Sequence, residues 1–350
     1  MKRKNFGFGI IGTGVIAHFH AKAIVEIENA KLIGVFNINK QKADLFAGTH
    51  NCIAYATLDE MLRNPEIDIV CICTPSGLHL EPALKAIEQK KHCIIEKPLE
   101  VTLERCDEII NAAEKASVKV GVIFPSRFAE VNQLLKNALD QNRFGDLVLG
   151  DAYVKWSRSA EYYKSAAWRG TWKHDGGGAV MNQGIHSVDL LQWFMGPVKS
   201  VQAFAANIRH RDIEVEDTLV AILKFANGAV GTIECSTAVF PGSAKRIEIL
   251  GTSGTAVVEE NSLVKWEFQN QSGEDELFRV KHMPADAGGG GASNPTGISF
   301  TGHQRQIEDM LHAIETGEKP FVDGWEGRKS VEIVLAMYES AKTWSQVNIA

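Results

Sequence analysis

Two short stretches of the chain carry side chains that can handle the proton and the charge of a hydroxyl group. Residues 96–98 read Glu-Lys-Pro, and the Lys97 ammonium can bind an oxygen and polarise it. Taken alone, Lys97 is better explained as an exposed loop lysine, which most lysines are. The second stretch holds Asn182, His186 and Asp189, whose i, i+4, i+7 spacing places them on one helix face. Because histidine exchanges protons near neutral pH, this polar stripe predicts a site for proton removal.

A third stretch, residues 12–17, predicts a site for the phosphates of a dinucleotide. It reads Gly-Thr-Gly-Val-Ile-Ala, follows an apolar strand directly and opens a helix. The first glycine permits the tight turn, the second lets the backbone approach a pyrophosphate, and Ala17 keeps the helix close to the strand. The helix N-terminus offers unpaired N–H groups and the positive end of its dipole. The predicted cofactor contacts here are Gly12, Thr13, Gly14, Val15 and Ile16.

The ends of later strands complete the predicted cofactor site. Asn37 stands where an acidic residue usually bonds the ribose of NAD, and its amide can bond a ribose hydroxyl without repelling a 2′-phosphate. Lys40 or Lys42 could pair with that phosphate, although an exposed helix start explains both lysines equally well, so NAD and NADP both stay open. The contacts predicted after the next two strands are Thr74, Pro75, His79, Glu96 and Lys97.

The elements that position these residues follow two different sequence patterns, one in each part of the chain. Residues 1–125 alternate short apolar runs with helical patterns, which predicts an α/β Rossmann domain, a doubly wound parallel sheet covered by helices. Residues 126–350 predict an α+β substrate-binding and oligomerisation domain with a largely antiparallel open sheet, because Asn227-Gly228 joins two alternating runs. The closing helices are expected to pack back on the first domain. Residues 285–297, rich in Gly, Ser, Asn and Pro, predict a connector or, with less support, an active-site lid.

Composition narrows the class of protein. The 350 residues are 45% hydrophobic with a net charge of −6 and no basic stripe, which argues against a nucleic-acid partner. No apolar run is long enough for a membrane span, and the basic start leads into a glycine turn rather than a secretory core. The six cysteines have no zinc-site spacing, so we expect no metal and a cytoplasmic location.

With these motifs in place, the chain resembles the glucose–fructose oxidoreductase, inositol dehydrogenase and MocA family over nearly its whole length. The resemblance is carried by residues 12–17, Thr74-Pro75, residues 96–98 and residues 176–189. It implies that Lys97 polarises the reacting hydroxyl, that His186 takes its proton and that a cis bond precedes the proline at 98. The family commonly has aspartate where this chain has Asn182, which can orient a substrate or His186 but cannot accept a proton. The resemblance also implies a homodimer or homotetramer.

The resulting interpretation is an NAD- or NADP-dependent dehydrogenase that acts on a hydroxyl carbon of a sugar, polyol or sugar derivative. Two alternatives stay open: an enzyme that oxidises a sugar transiently to cleave a glycoside, and a non-catalytic NAD(P) sensor. Aromatic rings can pack against the C–H groups of a sugar, and arginine can donate hydrogen bonds to hydroxyls or a phosphate. The predicted substrate contacts are Arg127, Trp168, Arg169 and Asp189, and further pocket candidates are Trp156, Tyr163 and Trp172.

Overall fold

A computed structural model describes residues 5–283 and 300–349 of the chain. The described residues divide into two compact units, one of residues 5–125 with 300–331 and the other of residues 126–283 with 332–349. The predicted connector at residues 285–297 lies outside the described residues.

The first unit contains the predicted parallel sheet. Its strands are β1 (Phe6–Ile11), β2 (Ala30–Phe36), β3 (Ile53–Ala54), β4 (Ile69–Ile72), β5 (His92–Ile95) and β6 (Val120–Val122). They lie in the order β3-β2-β1-β4-β5-β6, which is the doubly wound arrangement. Strands β1 and β4 are buried along their whole length, as expected when helices cover both faces of a sheet.

Seven helices lie wholly or partly in this unit. They are α1 (Val15–Val25), α2 (Lys40–His50), α3 (Leu58–Arg63), α4 (Leu80–Glu88), α5 (Leu103–Ala116), α10 (Thr301–Thr316) and the first part of α11 (Gly324–Thr343). Helix α3 was not predicted, and it begins with a capping box between Thr57 and Glu60. The closing helix α10 packs against α1, and its Gln306 binds the end of β6 by accepting the Phe124 N–H and donating to the Val122 carbonyl.

The second unit contains an eight-stranded sheet that is antiparallel except for one pair. Its strands are β7 (Leu147–Lys155), β8 (Val198–Ala206), β9 (Thr218–Phe225), β10 (Val230–Ser236), β11 (Arg246–Gly251), β12 (Gly254–Glu259), β13 (Ser262–Phe268) and β14 (Val347–Asn348). The order is β13-β12-β11-β7-β10-β9-β8-β14, and β7 runs parallel to β10. This arrangement confirms the largely antiparallel sheet predicted from the hairpin signal at residues 227–228.

Helices of this unit are α6 (Glu130–Asp140), α7 (Ala160–Lys164), α8 (Ile185–Met195), α9 (Gly273–His282) and the last part of α11. Helix α8 packs on β7 and β11, so its apolar body covers one face of the sheet. None of the described helices combines the length and the apolar character needed to cross a membrane.

Candidate active site

The glycine turn after β1 has the shape that a pyrophosphate requires. Gly12 has a φ of +99°, and a Cβ there would lie 2.6 Å from the Cys73 carbonyl oxygen, so only glycine fits. A Cβ at Gly14 would meet no described atom within 4 Å, which leaves room above the turn. Helix α1 begins at Val15 with neither a capping side chain nor an acidic residue in its first turn. The Ala17 N–H donates to the Gly14 carbonyl oxygen, and no side chain caps the N–H groups that precede it, so the residues present fit the phosphates of a dinucleotide.

Asn37 links the end of β2 to this turn. Its Nδ2 donates to Thr13 Oγ1 at 2.8 Å, and its Oδ1 accepts the Asn39 N–H at 2.8 Å. Lys40 binds both carboxylate oxygens of Asp44 at 2.8 and 2.6 Å, one helical turn away. Exposed ion pairs of this kind are weak. The pair nevertheless engages the Lys40 ammonium, which was a candidate partner for a 2′-phosphate.

His79 is a buried brace between two loops at the carboxyl edge of the sheet. It has no solvent exposure. Its Nδ1 lies 2.9 Å from the Pro98 carbonyl oxygen and 3.2 Å from that of Leu99, and its Nε2 lies 3.0 Å from the Thr74 carbonyl oxygen. The imidazole therefore links the loop after β4 to the turn after β5. It holds in place the two loops that carry other predicted cofactor contacts.

Glu96, at the end of β5, is held by two histidines from distant helices. It is 6% exposed, and its Oε1 accepts from His20 Nε2 at 2.8 Å and lies 3.6 Å from His303 Nε2. Its Oε2 accepts the Lys97 N–H at 3.3 Å. Burial alone would raise the pKa of Glu96, but the hydrogen bonds from the histidines outweigh it and hold the pKa well below the usual range. The Lys97-Pro98 bond is cis, and Lys97 is half-buried.

The Glu96 cluster also has the residue types of a metal site, with ligand-type atoms of three residues within 4.8 Å of one another. A metal-bound histidine normally donates its second ring N–H to an acceptor. Among the described residues, the Nδ1 atoms of His20 and His303 have no such partner. An ionised carboxylate with imidazole donors accounts for the cluster without a metal.

The helix that carries the predicted polar stripe is not a continuous α-helix. Residues Ala179–Gly184 form a π-helical turn, and α8 begins only at Ile185. The wider turn breaks the 3.6-residue periodicity on which the shared face of the stripe depended. Asn182 and His186 are half-buried, whereas Asp189 has no solvent exposure.

Asp189 and Arg127, both predicted as substrate contacts, bind each other inside the second unit. The Arg127 Nε and Nη2 atoms donate to the two Asp189 carboxylate oxygens at 2.9 and 2.7 Å. The side chains are 1% and 0% exposed, and the guanidinium lies 5.4 Å from the centroid of the Trp193 ring. A buried charge must be paired, and this bidentate pair satisfies both groups. The structure thus places the pair in the core rather than on a surface that a substrate could reach.

Asn182 is oriented by residues that the sequence did not single out. Its Nδ2 donates to Asp175, which also accepts the Gly170 N–H at 2.9 Å. Its Oδ1 accepts from Gln183 at 2.9 Å, and Gln183 donates in turn to the Tyr162 hydroxyl at 2.8 Å. Asp175 directly precedes the glycine run, which is the one sequence signal that could have identified it.

Glu216 anchors the start of the same segment. Its two carboxylate oxygens each accept a backbone N–H at 2.9 Å, from Gly178 and Val180, and Oε1 also accepts the Tyr338 hydroxyl at 3.1 Å. A Cβ at Gly178 would collide with the Glu216 carbonyl oxygen, which explains that glycine by close packing. Burial raises the pKa of Glu216 to about 7 despite these donors. No local pattern around residue 216 could have revealed this contact.

The aromatic segment before the glycine run is ordered by stacking and hydrogen bonds. The Arg169 guanidinium lies over the rings of Tyr162 and Trp168, at 4.3 and 4.7 Å. Of the other pocket candidates, Trp156 is buried, Tyr163 shares a hydrogen bond with Thr237, and the Trp172 indole donates to the Glu214 carbonyl.

Comparisons with known proteins match both units to one family of oxidoreductases. Residues 6–124 match the model of an oxidoreductase family with an NAD-binding Rossmann fold, and residues 132–257 match the GFO/IDH/MocA C-terminal domain. The WlbA dehydrogenase from Bordetella pertussis, solved with NADH and UDP-GlcNAcA, is 31% identical, with 99% of both chains covered and a TM-score of 0.88.

Two curated relatives cover different shares of the chain. The inositol 2-dehydrogenase of Rhizobium meliloti is 26% identical over 98% of this chain and 99% of its own length. The glucose-6-phosphate 3-dehydrogenase of Bacillus subtilis is 32% identical over 53% of each chain.

Proposed function

The chain belongs to the GFO/IDH/MocA family of NAD-binding oxidoreductases, and from that premise we propose that it oxidises a hydroxyl carbon of a sugar, polyol or sugar derivative. The observation that carries the proposal is the position of Lys97. It follows β5 at the carboxyl edge of the parallel sheet, the edge at which the glycine turn follows β1. Ligands of doubly wound sheets bind at that edge.

The cofactor would be held by residues of the first unit. The first turn of α1 would bind the phosphates, Asn37 the adenosine ribose, and Thr74 with Pro75 the nicotinamide side. When bound, the nicotinamide supplies the hydride acceptor of the oxidation. We propose NAD in preference to NADP, because residues 6–124 match a family with an NAD-binding Rossmann fold.

The chain's own residues would handle the substrate hydroxyl. Lys97 would donate to its oxygen and lower its pKa by the positive charge, while His186 would accept its proton. Asn182 cannot take a proton, so its role would be to orient the substrate through an amide that Asp175 and Gln183 already hold in place.

The test is a screen of the purified protein with NAD and NADP against sugars, inositols and UDP-sugars, followed at 340 nm. With the substrate found, His186→Ala should slow turnover by about 10²–10⁴-fold, and Lys97→Met should lower kcat/KM at least as much. The exposed residues Lys115 and His312 provide matched controls, since Lys115→Met and His312→Ala should retain nearly full turnover.

Two outcomes would redirect the proposal. Variants of Lys97 and His186 that turn over at the rate of the parent protein would remove both residues from these roles. A cofactor that copurifies with the protein and supports glycoside cleavage without steady-state NADH would favour the transient-oxidation alternative.

We further propose a cytoplasmic homodimer or homotetramer. All six cysteines are free thiols, as in proteins of a reducing compartment. On the second unit's sheet, Phe204 and its register partner Val220 are 58% and 43% exposed, and Ile222 on the same face is 59% exposed. Exposed apolar patches of this kind mark protein interfaces. Light scattering should give a mass above one chain, and Ile222→Glu should lower that mass.

A further inference from the structure

Two arginines in the second unit lie close together around one tyrosine. Arg158 is 4% exposed, and its guanidinium lies 4.9 Å from the Trp156 ring and 5.4 Å from the Tyr162 ring. Arg169 lies 4.3 Å from the same Tyr162 ring and donates to its hydroxyl at 2.5 Å. We call Arg158, Tyr162, Arg169 and Gln183 the arginine cluster.

One of the two arginines brings a positive charge that no described carboxylate pairs with. Arg169 forms no ion pair within residues 5–283 and 300–349, and its buried Nε has no hydrogen-bond partner there. Burial lowers the pKa of Arg158, and the nearby charge of Arg169 lowers it further. A half-buried guanidinium that lacks an ion pair and lies near a second guanidinium is costly unless an anion joins it. Asp175, the buried carboxylate of the segment, accepts the Gly170 N–H and binds the Asn182 amide.

Neutral partners hold the hydrogen-bond donors of the cluster in fixed orientations. The Tyr162 hydroxyl oxygen accepts N–H groups from Arg169 and Gln183, so its own proton is left to donate. Arg158 Nη2 donates to Gln183 Oε1 at 3.2 Å, and stacking on the aromatic rings restrains both guanidinium planes. Preorganised arginine forks of this kind suit carboxylate and phosphate oxygens.

The cluster adjoins a residue with a proposed role in the reaction. Gln183 donates at 2.9 Å to Asn182 Oδ1, so it links the proposed substrate-orienting amide to Arg158 directly and to Arg169 through the Tyr162 hydroxyl. Tyr162, Trp168, Arg169 and Gln183 are all half-buried, which leaves the cluster within reach of a ligand.

We propose that the arginine cluster binds an anionic oxygen group of the sugar substrate, a carboxylate or a phosphate, and so selects anionic over neutral sugars. This inference rests on the proposed function, since it names the substrate class of the same site. The two sources of the charge differ in geometry but share the oxygens that two guanidinium groups and a phenol recognise.

The test measures binding to the NADH-loaded protein by titration calorimetry, which needs no turnover. Three probes differ only in the charged group: glucose, glucuronate and glucose 6-phosphate. UDP-glucose and UDP-glucuronate form a second matched pair. Glucuronate or glucose 6-phosphate should bind roughly tenfold or more tightly than neutral glucose, or UDP-glucuronate should do so relative to UDP-glucose, which carries the same diphosphate but no carboxylate. Preference for the uronates identifies a carboxylate site, and preference for glucose 6-phosphate identifies a phosphate site.

Variants assign that preference to the cluster. Arg169→Gln should raise the Kd of the charged probe roughly 10- to 100-fold and leave that of the neutral probe within about twofold. Arg169→Lys keeps the charge but loses the fork, so it should restore part of the affinity. Lys164→Gln removes an exposed charge from the same segment and should change neither Kd. Arg158→Lys tests the buried partner, with circular dichroism to confirm folding.

The outcomes separate this inference from the proposed function. Equal binding of charged and neutral probes, no binding of any charged probe, or an equal loss for both in Arg169→Gln would overturn the cluster's role. Arginine-dependent binding without NADH formation from any probe would leave the cluster standing and count against the dehydrogenase. Turnover of neutral sugars that Arg169→Gln leaves unchanged would do the opposite.

Discussion

Each unit has a buried glutamate next to a segment that is proposed to act on the substrate. The pKa values of these two glutamates are shifted in opposite directions. Glu96 is 6% exposed and Glu216 is 5% exposed, so burial removes a similar part of the hydration of both carboxylates. The pKa of Glu96 lies well below its usual range, whereas that of Glu216 rises to about 7. Burial alone therefore does not decide whether a carboxylate stays ionised.

The difference lies in the partners. Glu96 accepts from His20 and lies beside His303, and these imidazole donors lower its pKa by more than burial raises it. Glu216 accepts from two backbone amides and the hydroxyl of Tyr338, which lower its pKa but not enough to offset burial. Each carboxylate also binds the backbone of its neighbouring segment, so we expect both to act as positioning residues.

The largest effect is expected where an imidazole is removed from Glu96. His20→Leu leaves a buried carboxylate without its nearest donor, which should cost about 3 kcal/mol of unfolding free energy at pH 7. The folded pKa values of both Glu96 and His20 lie below their unfolded values of 4.5 and 6.5. Both contributions are therefore present above those values and are lost as the pH falls.

Urea denaturation at a series of pH values measures this effect. The difference between the parent protein and His20→Leu should be greatest near pH 7 and should shrink below about pH 6.5. The exposed His312→Leu on α10 is the matched control and should change stability by less than about 0.5 kcal/mol. A loss in His20→Leu that stays constant from pH 7 to pH 4 would contradict the lowered pKa values of His20 and Glu96.

An opposite pH dependence is expected from Glu216. Its folded pKa is about 7 against an ordinary value of 4.5. Its contribution is therefore fully present below pH 4.5 and is lost as the pH rises through about 7. Relative to Glu216→Gln, which does not ionise, the parent protein should lose about 3 kcal/mol between pH 4.5 and pH 8. Asp212→Asn, an exposed change nearby, should leave the profile unaltered, and a flat difference for Glu216→Gln would disprove the raised pKa.

The smallest effect is expected from Tyr338→Phe. The hydroxyl that donates to Glu216 at 3.1 Å is lost, which should cost about 1 kcal/mol. Because that hydroxyl lowers the pKa of Glu216, its loss should move the midpoint of the Glu216-dependent stability change to higher pH. Tyr55→Phe removes a hydroxyl that binds Asn64 in the first unit, so it should lower stability without moving the midpoint. An unmoved midpoint in Tyr338→Phe would remove the tyrosine from this role.

Much of the fold was predictable because its signals are local. The strands of the parallel sheet, the turn at Gly12 and the hairpin at residues 227–228 each follow from side-chain period or backbone freedom within a few residues. Helix α3 was missed although its capping box is a local signal. The π-helical turn at Ala179–Gly184 was mistaken for an α-helix, since its cause is distant: Glu216 binds the backbone at its start.

The sequence by itself determined which residues could carry the chemistry: Lys97 after a strand, and Asn182 and His186 in a helical segment. It also determined the glycine turn that fits a phosphate. Only the tertiary structure decided the partners of the charged groups. Asp189 was joined to Arg127, Glu96 to His20, and the backbone of Gly178 to Glu216. The physical reason is that burial makes an unpaired charge costly, and the group that satisfies it is chosen by packing in space rather than by spacing along the chain.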